Sequence, residues 1–270
     1  MIQSTITLSL LPTNPKAPFV LGPDLETAVA SAANHGFPAF ELFPPELNAI
    51  DVEQLQVLTA RYNIKLSTIG TGGGWVRSGL SLTDASADVR QKAKEYIQGV
   101  IQRAADLGAM AIIGSMQGRC GDRDRDTTMA MLTEGLGELS EIAQACGQPL
   151  LYEPLNRYET DLFNSVMTTA DYLASQNLEN VKILADLFHM NIEEIEIASA
   201  LQSLGHRLGH VHFVDSNRRV AGMGHIDFAP IVAALKNMNY QGYLGIEAFP
   251  LPTQDTAAAE AIKAHRQWFE

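Results

Sequence analysis

The chain of 270 residues is 46% hydrophobic, with glycine and proline spread throughout, so residues 1–270 carry enough apolar material for one large core. A formal net charge of −12 and the lack of a basic stripe argue against nucleic acid as a partner. The only cysteines, Cys120 and Cys146, read as reduced thiols of a cytoplasmic protein, and neither the N-terminal segment Met1–Ile6 nor any apolar run suggests a secretory signal or a membrane span.

Short β-rich apolar runs alternate along the chain with longer stretches of helical periodicity. The first run, Thr5–Leu10, leads into Leu11-Pro12-Thr13-Asn14-Pro15, which has none of the glycines of a dinucleotide-binding turn. The second, Ala39–Phe43, contains Glu41, whose carboxylate reads either as a hydrogen-bond partner of a site or as half of a buried ion pair. Asp51 with Gln54 then resembles a helix cap and its partner. The third run, Lys65–Ile69, opens into an irregular piece from Gly70 to Asp84, where the glycines of Thr71-Gly72-Gly73-Gly74-Trp75 read as a flexible loop rather than a phosphate cradle. After the fourth, Ala111–Gly114, the segment Ser115 to Asp124 begins an alternation of Arg119, Arg123 and Arg125 with Asp122, Asp124 and Asp126, the pattern of a solvated loop.

The second half contributes Pro149–Glu153, Lys182–Asp186, Gly209–Val214 and Tyr243–Glu247, with Thr168/Asp171 and Asn191/Glu194 as further capping pairs. Eight strand-then-helix units imply parallel strands with right-handed crossovers. The length is also close to the roughly 250 residues of a (β/α)8 TIM barrel, which is therefore the expected α/β fold, as a single domain.

Four successive strands of this half bring Glu153, Asp186, His212 and Glu247 to one rim. A charged group at the inner end of an apolar strand is costly to desolvate unless it is paired or coordinated, so four together call for a counter-charge. Three carboxylates and an imidazole suit one hard divalent ion. His210, two residues before His212, should also face inward, one layer deeper, as a supporting or core residue.

Tyr152-Glu153-Pro154-Leu155-Asn156-Arg157-Tyr158-Glu159, Asp186-Leu187-Phe188-His189-Met190-Asn191-Ile192-Glu193-Glu194, His210-Val211-His212 with Asp215-Ser216-Asn217-Arg218, and Gly245-Ile246-Glu247-Ala248-Phe249 resemble the motifs of the tagatose and psicose (allulose) 3-epimerases, a family of the xylose isomerase-like barrels. The resemblance is dense from about Leu150 to Phe249; before that it is mainly one of architecture. It implies a metal-dependent ketose 3-epimerase in which Glu153, Asp186, His212 and Glu247 hold one divalent metal ion, Mn²⁺ before Mg²⁺, Co²⁺ or Zn²⁺. Glu153 and Glu247 would double as catalytic acid/bases on either face of the substrate, about a metal-stabilised enediolate. It further implies that Glu159, His189 and Arg218 bind the sugar, and that the enzyme forms a homodimer or homotetramer.

Trp75 is a candidate apolar wall for the sugar carbons. The first strand departs from the resemblance, because Leu8, Leu10, Leu11 and Pro12 stand where these epimerases usually bring aromatic residues. Hydroxypyruvate isomerase, aldose–ketose isomerase and inosose-processing activities remain alternatives that use the same chemistry. The related barrel-type apurinic endonucleases call for extra histidines at the ends of the third and fourth strands, and Ser67-Thr68-Ile69-Gly70 and Ile112-Ile113-Gly114-Ser115 have none. A non-catalytic sugar-binding barrel would not need a base on each face.

Overall fold

The computed structural model describes residues 2–12 and 17–270; Thr13, Asn14 and Pro15 of the loop noted above lie outside them. Within the described residues the strands are β1 (Gln3–Ser9), β2 (Ala39–Phe43), β3 (Lys65–Gly70), β4 (Met110–Ile113), β5 (Leu150–Tyr152), β6 (Val181–Asp186), β7 (Leu208–His212) and β8 (Tyr243–Ile246). All pair in parallel, each with its neighbour in sequence, and β1 pairs with β8 to close the barrel. Closure leaves no unpaired edge. The expected (β/α)8 barrel is thus the fold observed.

The helices are α1 (Leu25–His35), α2 (Val52–Tyr62), α3 (Gly72–Ser78), α4 (Ala87–Asp106), α5 (Arg125–Ala145), α6 (Val166–Ser175), α7 (Leu187–Glu193), α8 (Ile197–Leu204), α9 (Phe228–Asn237) and α10 (Gln254–Phe269). None of them is long and apolar enough to cross a membrane. The helix α4 shows why they pack: Ala93, Ile97, Val100, Ile101 and Ala104 recur at helical spacing and are buried.

Strand alternation divides the buried residues into two layers. Ile6, Leu8, Phe40, Leu42, Tyr152, Ile183, Val211, Leu244 and Ile246 join the helices in the main core. On the axial side Ile112, Leu151 and Leu184 form a separate small cluster with Phe43 and Met110. The axial side of β1–β3 is polar instead, with Thr5 Oγ1 2.8 Å from Ser67 Oγ and Thr68 Oγ1 donating to Glu41 Oε2 at 2.9 Å. Two register shifts produce this arrangement: β2–β3 pairing steps from Phe40↔Leu66 to Glu41↔Thr68, and β6–β7 pairing from Ile183↔Leu208 to Leu184↔His210. Ser67 and Gly209 are the residues skipped, and each bulge re-aims the side chains that follow it.

Asp51 caps α2 as expected, accepting from Gln54 N at 3.0 Å. The other two capping pairs are corrected. Thr168 lies inside α6 and Asn191 inside α7. Strand β6 runs straight into α7, where Asp186 accepts from Phe188 N at 2.7 Å, while Glu194 reaches across to accept from Val166 N at the start of α6. A carboxylate can cap a helix to which it does not belong, and local spacing does not reveal that.

The glycine run is corrected too, because it forms α3 rather than a loose loop. A side chain at Gly73 would meet the carbonyl oxygen of Pro45 at 2.7 Å, and one at Gly74 would meet Met116 Sδ at 2.8 Å. The glycines therefore let α3 sit close against its neighbours. Nor is the arginine-rich segment simply solvated. Arg119 donates to Tyr158 O, Arg125 to Asp161 O and Leu162 O, and Asp161 accepts from Cys120 N and Gly121 N. These bonds tie the β4–α5 connection to the β5–α6 connection at the barrel mouth.

Candidate functional site

At the C-terminal ends of β5 to β8, Glu153, Asp186, His212 and Glu247 stand two positions above Leu151, Leu184, His210 and Gly245, so the same parity turns all four toward the axis. All are buried, and each offers one atom within 4.8 Å of the others. His212 Nδ1 is the common point, 3.6 Å from Glu153 Oε1, 3.5 Å from Asp186 Oδ2 and 3.7 Å from Glu247 Oε2.

These separations exceed hydrogen-bond length. They fall within the range of ligand spacings about a cation whose bonds are about 2.1 Å, which sets adjacent ligand atoms about 3 Å apart and opposite ones about 4.2 Å apart. Among the described residues Glu153 Oε1, Asp186 Oδ2 and His212 Nδ1 are buried without a hydrogen-bond partner, so three of the four atoms that would surround an ion are left unsatisfied, while Arg218 bonds the fourth, on Glu247. The residues fit a hard divalent metal. Gly114 adds to the fit from β4's end, since a side chain there would stand 2.7 Å from Glu153 Oε2.

The electrostatics agree. Burial raises Glu247 to about 7 against the lowering influence of Arg218 and His212, with Glu153 and Asp186 adding to the rise. Burial also pushes the Asp186 carboxyl up, but His189, His212 and Arg218 outweigh it and hold the group below the ordinary carboxylate range. Burial would lower His212, yet Glu247, Glu41, Asp186 and Glu153 lift it well above the ordinary imidazole value. Three buried acids sharing one pocket draw positive charge to it.

Arg218, from the connection between β7 and α9, is brought in by a turn that it enters with φ of 57°. Asp215 organises that turn: its carboxylate accepts from Ser216 N, Gly222 N and Ile226 N, and its carbonyl accepts from Arg218 N. Arg218 Nη2 bonds Glu247 and lies 3.5 Å from Asp186 Oδ2, while Nη1 lies 3.8 Å from Glu159 Oε1. Its guanidinium stands over the Phe188 ring, 4.9 Å from the centroid.

His189, on α7, aims Nε2 at the same point, 3.8 Å from Glu153 Oε1 and 3.7 Å from Asp186 Oδ2, and among the described residues this atom too is buried without a partner. Asn156 Nδ2 donates to Glu159 Oε1 at 3.1 Å, and Glu159 lies 3.9 Å from His189 Nδ1. Arg157 pairs with Glu193, leaving Glu159 to the pocket. Trp75 lies on α3 at the mouth, 39% exposed, and among the described residues it shares no side-chain hydrogen bond with the cluster. Ser9, Leu11 and Pro12, at the end of β1, line a separate, largely apolar cavity of 340 Å³ with Phe19, Val76 and Pro250.

Sequence reading missed Asn156 and Asp215 as organisers and left Glu41 open between a hydrogen-bond partner of the site and half of a buried ion pair. Asn156 and Asp215 sit within the motifs quoted above, so position was a signal; their function depends on loop turns that only the fold defines.

A profile of the family described as xylose isomerase-like TIM barrel matches residues 29–269, and the chain belongs to that family. Among curated relatives, the D-psicose 3-epimerase of Ruminiclostridium cellulolyticum is 29% identical over 84% of this chain and 78% of its own length. The 3-dehydro-D-guloside 4-epimerase of Escherichia coli is 29% identical over 78% of this chain and 82% of its own. Among solved structures, the D-allulose 3-epimerase of Methylomonas sp. superposes with a TM-score of 0.82 at 23% identity, covering 100% of this chain and 99% of that one. At that identity the superposition speaks for the fold.

Proposed function

We propose that this member of the xylose isomerase-like TIM barrel family is a metal-dependent sugar epimerase, a ketose 3-epimerase in which Glu153 and Glu247 exchange the proton next to the carbonyl. The observation that carries the reading is the convergence of those two glutamates, from β5 and β8 with β6 and β7 between them, on the point faced by His212 Nδ1. Inverting a carbon needs a base on one face and an acid on the other, and a single carboxylate cannot serve both. The relatives named as epimerases support the class of reaction.

Glu153, Asp186, His212 and Glu247 would hold the ion, with Mn²⁺ favoured by three carboxylate oxygens and one imidazole nitrogen. When bound, it would supply Lewis acidity that makes the carbon next to the carbonyl acidic. One glutamate takes the proton from C3 and the other delivers a proton from the opposite face. His189 donates from Nε2 to a sugar oxygen, Arg218 and Glu159 hold neighbouring hydroxyls, and Trp75 covers the sugar carbons. Residues 1–270 would act as one catalytic domain, and the enzyme would work as a homodimer or homotetramer. The free thiols Cys120 and Cys146 support a reducing, cytoplasmic setting.

The direct test is to incubate the Mn²⁺-loaded protein with a panel of free ketoses and follow formation of the C3 epimer by chromatography. Conversion that EDTA stops and Mn²⁺ restores is expected. Absence of conversion across the panel, or conversion indifferent to the chelator, would overturn the reading.

A further inference from the structure

A second buried group lies one layer below the four-residue cluster. Glu41 places Oε1 3.2 Å from His210 Nε2 and Oε2 3.3 Å from His212 Nε2, while Thr68 donates its hydroxyl to Oε2. Glu41, Thr68 and both histidines are buried. A carboxylate enclosed in a barrel is costly unless its oxygens are fully supplied with donors, and here three donors supply them.

The backbone is built around this group. The β3 bulge sets Thr68 opposite Glu41, and the β7 bulge sets His210 at the level that reaches it. On β8, a side chain at Gly245 would overlap Glu41 Oε1 and stand 2.9 Å from both His210 Nε2 and His212 Cδ2. Three strands thus yield space or register to one carboxylate.

An ionised carboxylate accepts and cannot donate, so each histidine must carry its proton on Nε2. In the neutral ring of His212 that leaves the lone pair on Nδ1, the atom facing Glu153, Asp186 and Glu247. We infer that Glu41 is a positioning residue for metal binding, fixing the tautomer and rotation of His212 and raising the basicity of its Nδ1. His210 holds the other carboxylate oxygen, so that Glu41 cannot turn away. Among the described residues the Nδ1 of His210 has no partner, and its contribution is the donation from Nε2. This role deepens the metal-dependent reading and rests on it.

The test measures Mn²⁺ affinity of wild type, Glu41→Gln and Thr68→Val by competition with a fluorescent chelator, with circular dichroism checking the metal-free folds. Glu41→Gln is expected to bind Mn²⁺ about 10- to 100-fold more weakly. Thr68→Val removes one donor without touching a metal ligand and is expected to lose about fivefold, so it reads the same role if Glu41→Gln fails to fold. Long-range ¹H–¹⁵N spectra of the metal-free wild type, at a pH where the His212 ring is neutral, should show its proton on Nε2, an assignment that general loosening of the barrel would not produce. A proton on His212 Nδ1, or affinities of the folded variants within twofold of wild type, would overturn the role of Glu41 alone. Wild-type protein that takes up no Mn²⁺ would overturn the metal-dependent reading along with it.

Discussion

Asn156 donates to Nδ1 of His189 twice, from its side-chain nitrogen at 2.7 Å and its backbone nitrogen at 3.3 Å. Its amide cannot be reversed without loss, because its oxygen accepts from Tyr158 N at 3.0 Å. His189 Nδ1 is therefore an acceptor, and the ring proton sits on Nε2, aimed into the pocket. Replacing Asn156 with leucine should release the ring and lower kcat about 10-fold or more with a smaller change in KM. Steady-state kinetics on an accepted ketose check this, and an unchanged kcat would remove Asn156 from the account of His189.

Metal binding should compete with a proton on Glu247. With this group raised to about 7 in the metal-free protein, from an ordinary value of 4.5, the folded state keeps a proton that the unfolded state has already lost between those limits. Its contribution to stability is thus fully present below 4.5 and is lost as pH rises toward 7. Mn²⁺ should reverse that loss. The Mn²⁺-induced rise in Tm, followed by scanning calorimetry, should grow from about pH 5 to about pH 8 as the competing proton leaves. A metal effect that shrinks over this range would contradict the assignment.

The two neighbouring glycines of α3 should respond differently to alanine. Gly73 faces the backbone of Pro44 and Pro45, so Gly73→Ala is expected to destabilise by about 1–3 kcal/mol through overpacking. Among the described residues nothing lies within 4 Å of a side chain at Gly72, and Gly72→Ala should be neutral or slightly stabilising. Urea denaturation of the two variants side by side reads the difference; equal stabilities would contradict the packing role.

The barrel was legible because its eight strands are short, apolar and regularly spaced, and parity then carried Glu153, Asp186, His212 and Glu247 to one rim. Their convergence in the fold follows from the same alternation of side chains that the sequence displays. Less legible were features that depend on two distant segments. Glu41 meets His210 and His212 across 169 and 171 residues of chain. Two bulges, invisible as patterns, set the level of those contacts. The same holds for Glu194, which caps α6 from 28 residues away, and for Arg119 and Arg125, whose partners are carbonyls of the next connection.

Each glutamate should be needed separately. Glu153→Gln and Glu247→Gln are expected to reduce turnover by about 10²- to 10⁴-fold, measured at Mn²⁺ concentrations that saturate each variant so that loss of a ligand is not mistaken for loss of a base. Turnover retained by either variant would leave one face of the substrate without its assigned group.

The most direct measurement is the position of solvent hydrogen in the product. Mn²⁺-loaded enzyme is allowed to turn over an accepted ketose in D₂O, and the sugars are examined by NMR, with Glu153→Gln and Glu247→Gln in parallel. Deuterium at C3 of the wild-type product, lost in both variants, is the expected result. Deuterium at C1 or C2, or C3 exchange that survives both substitutions, would contradict a two-base 3-epimerase.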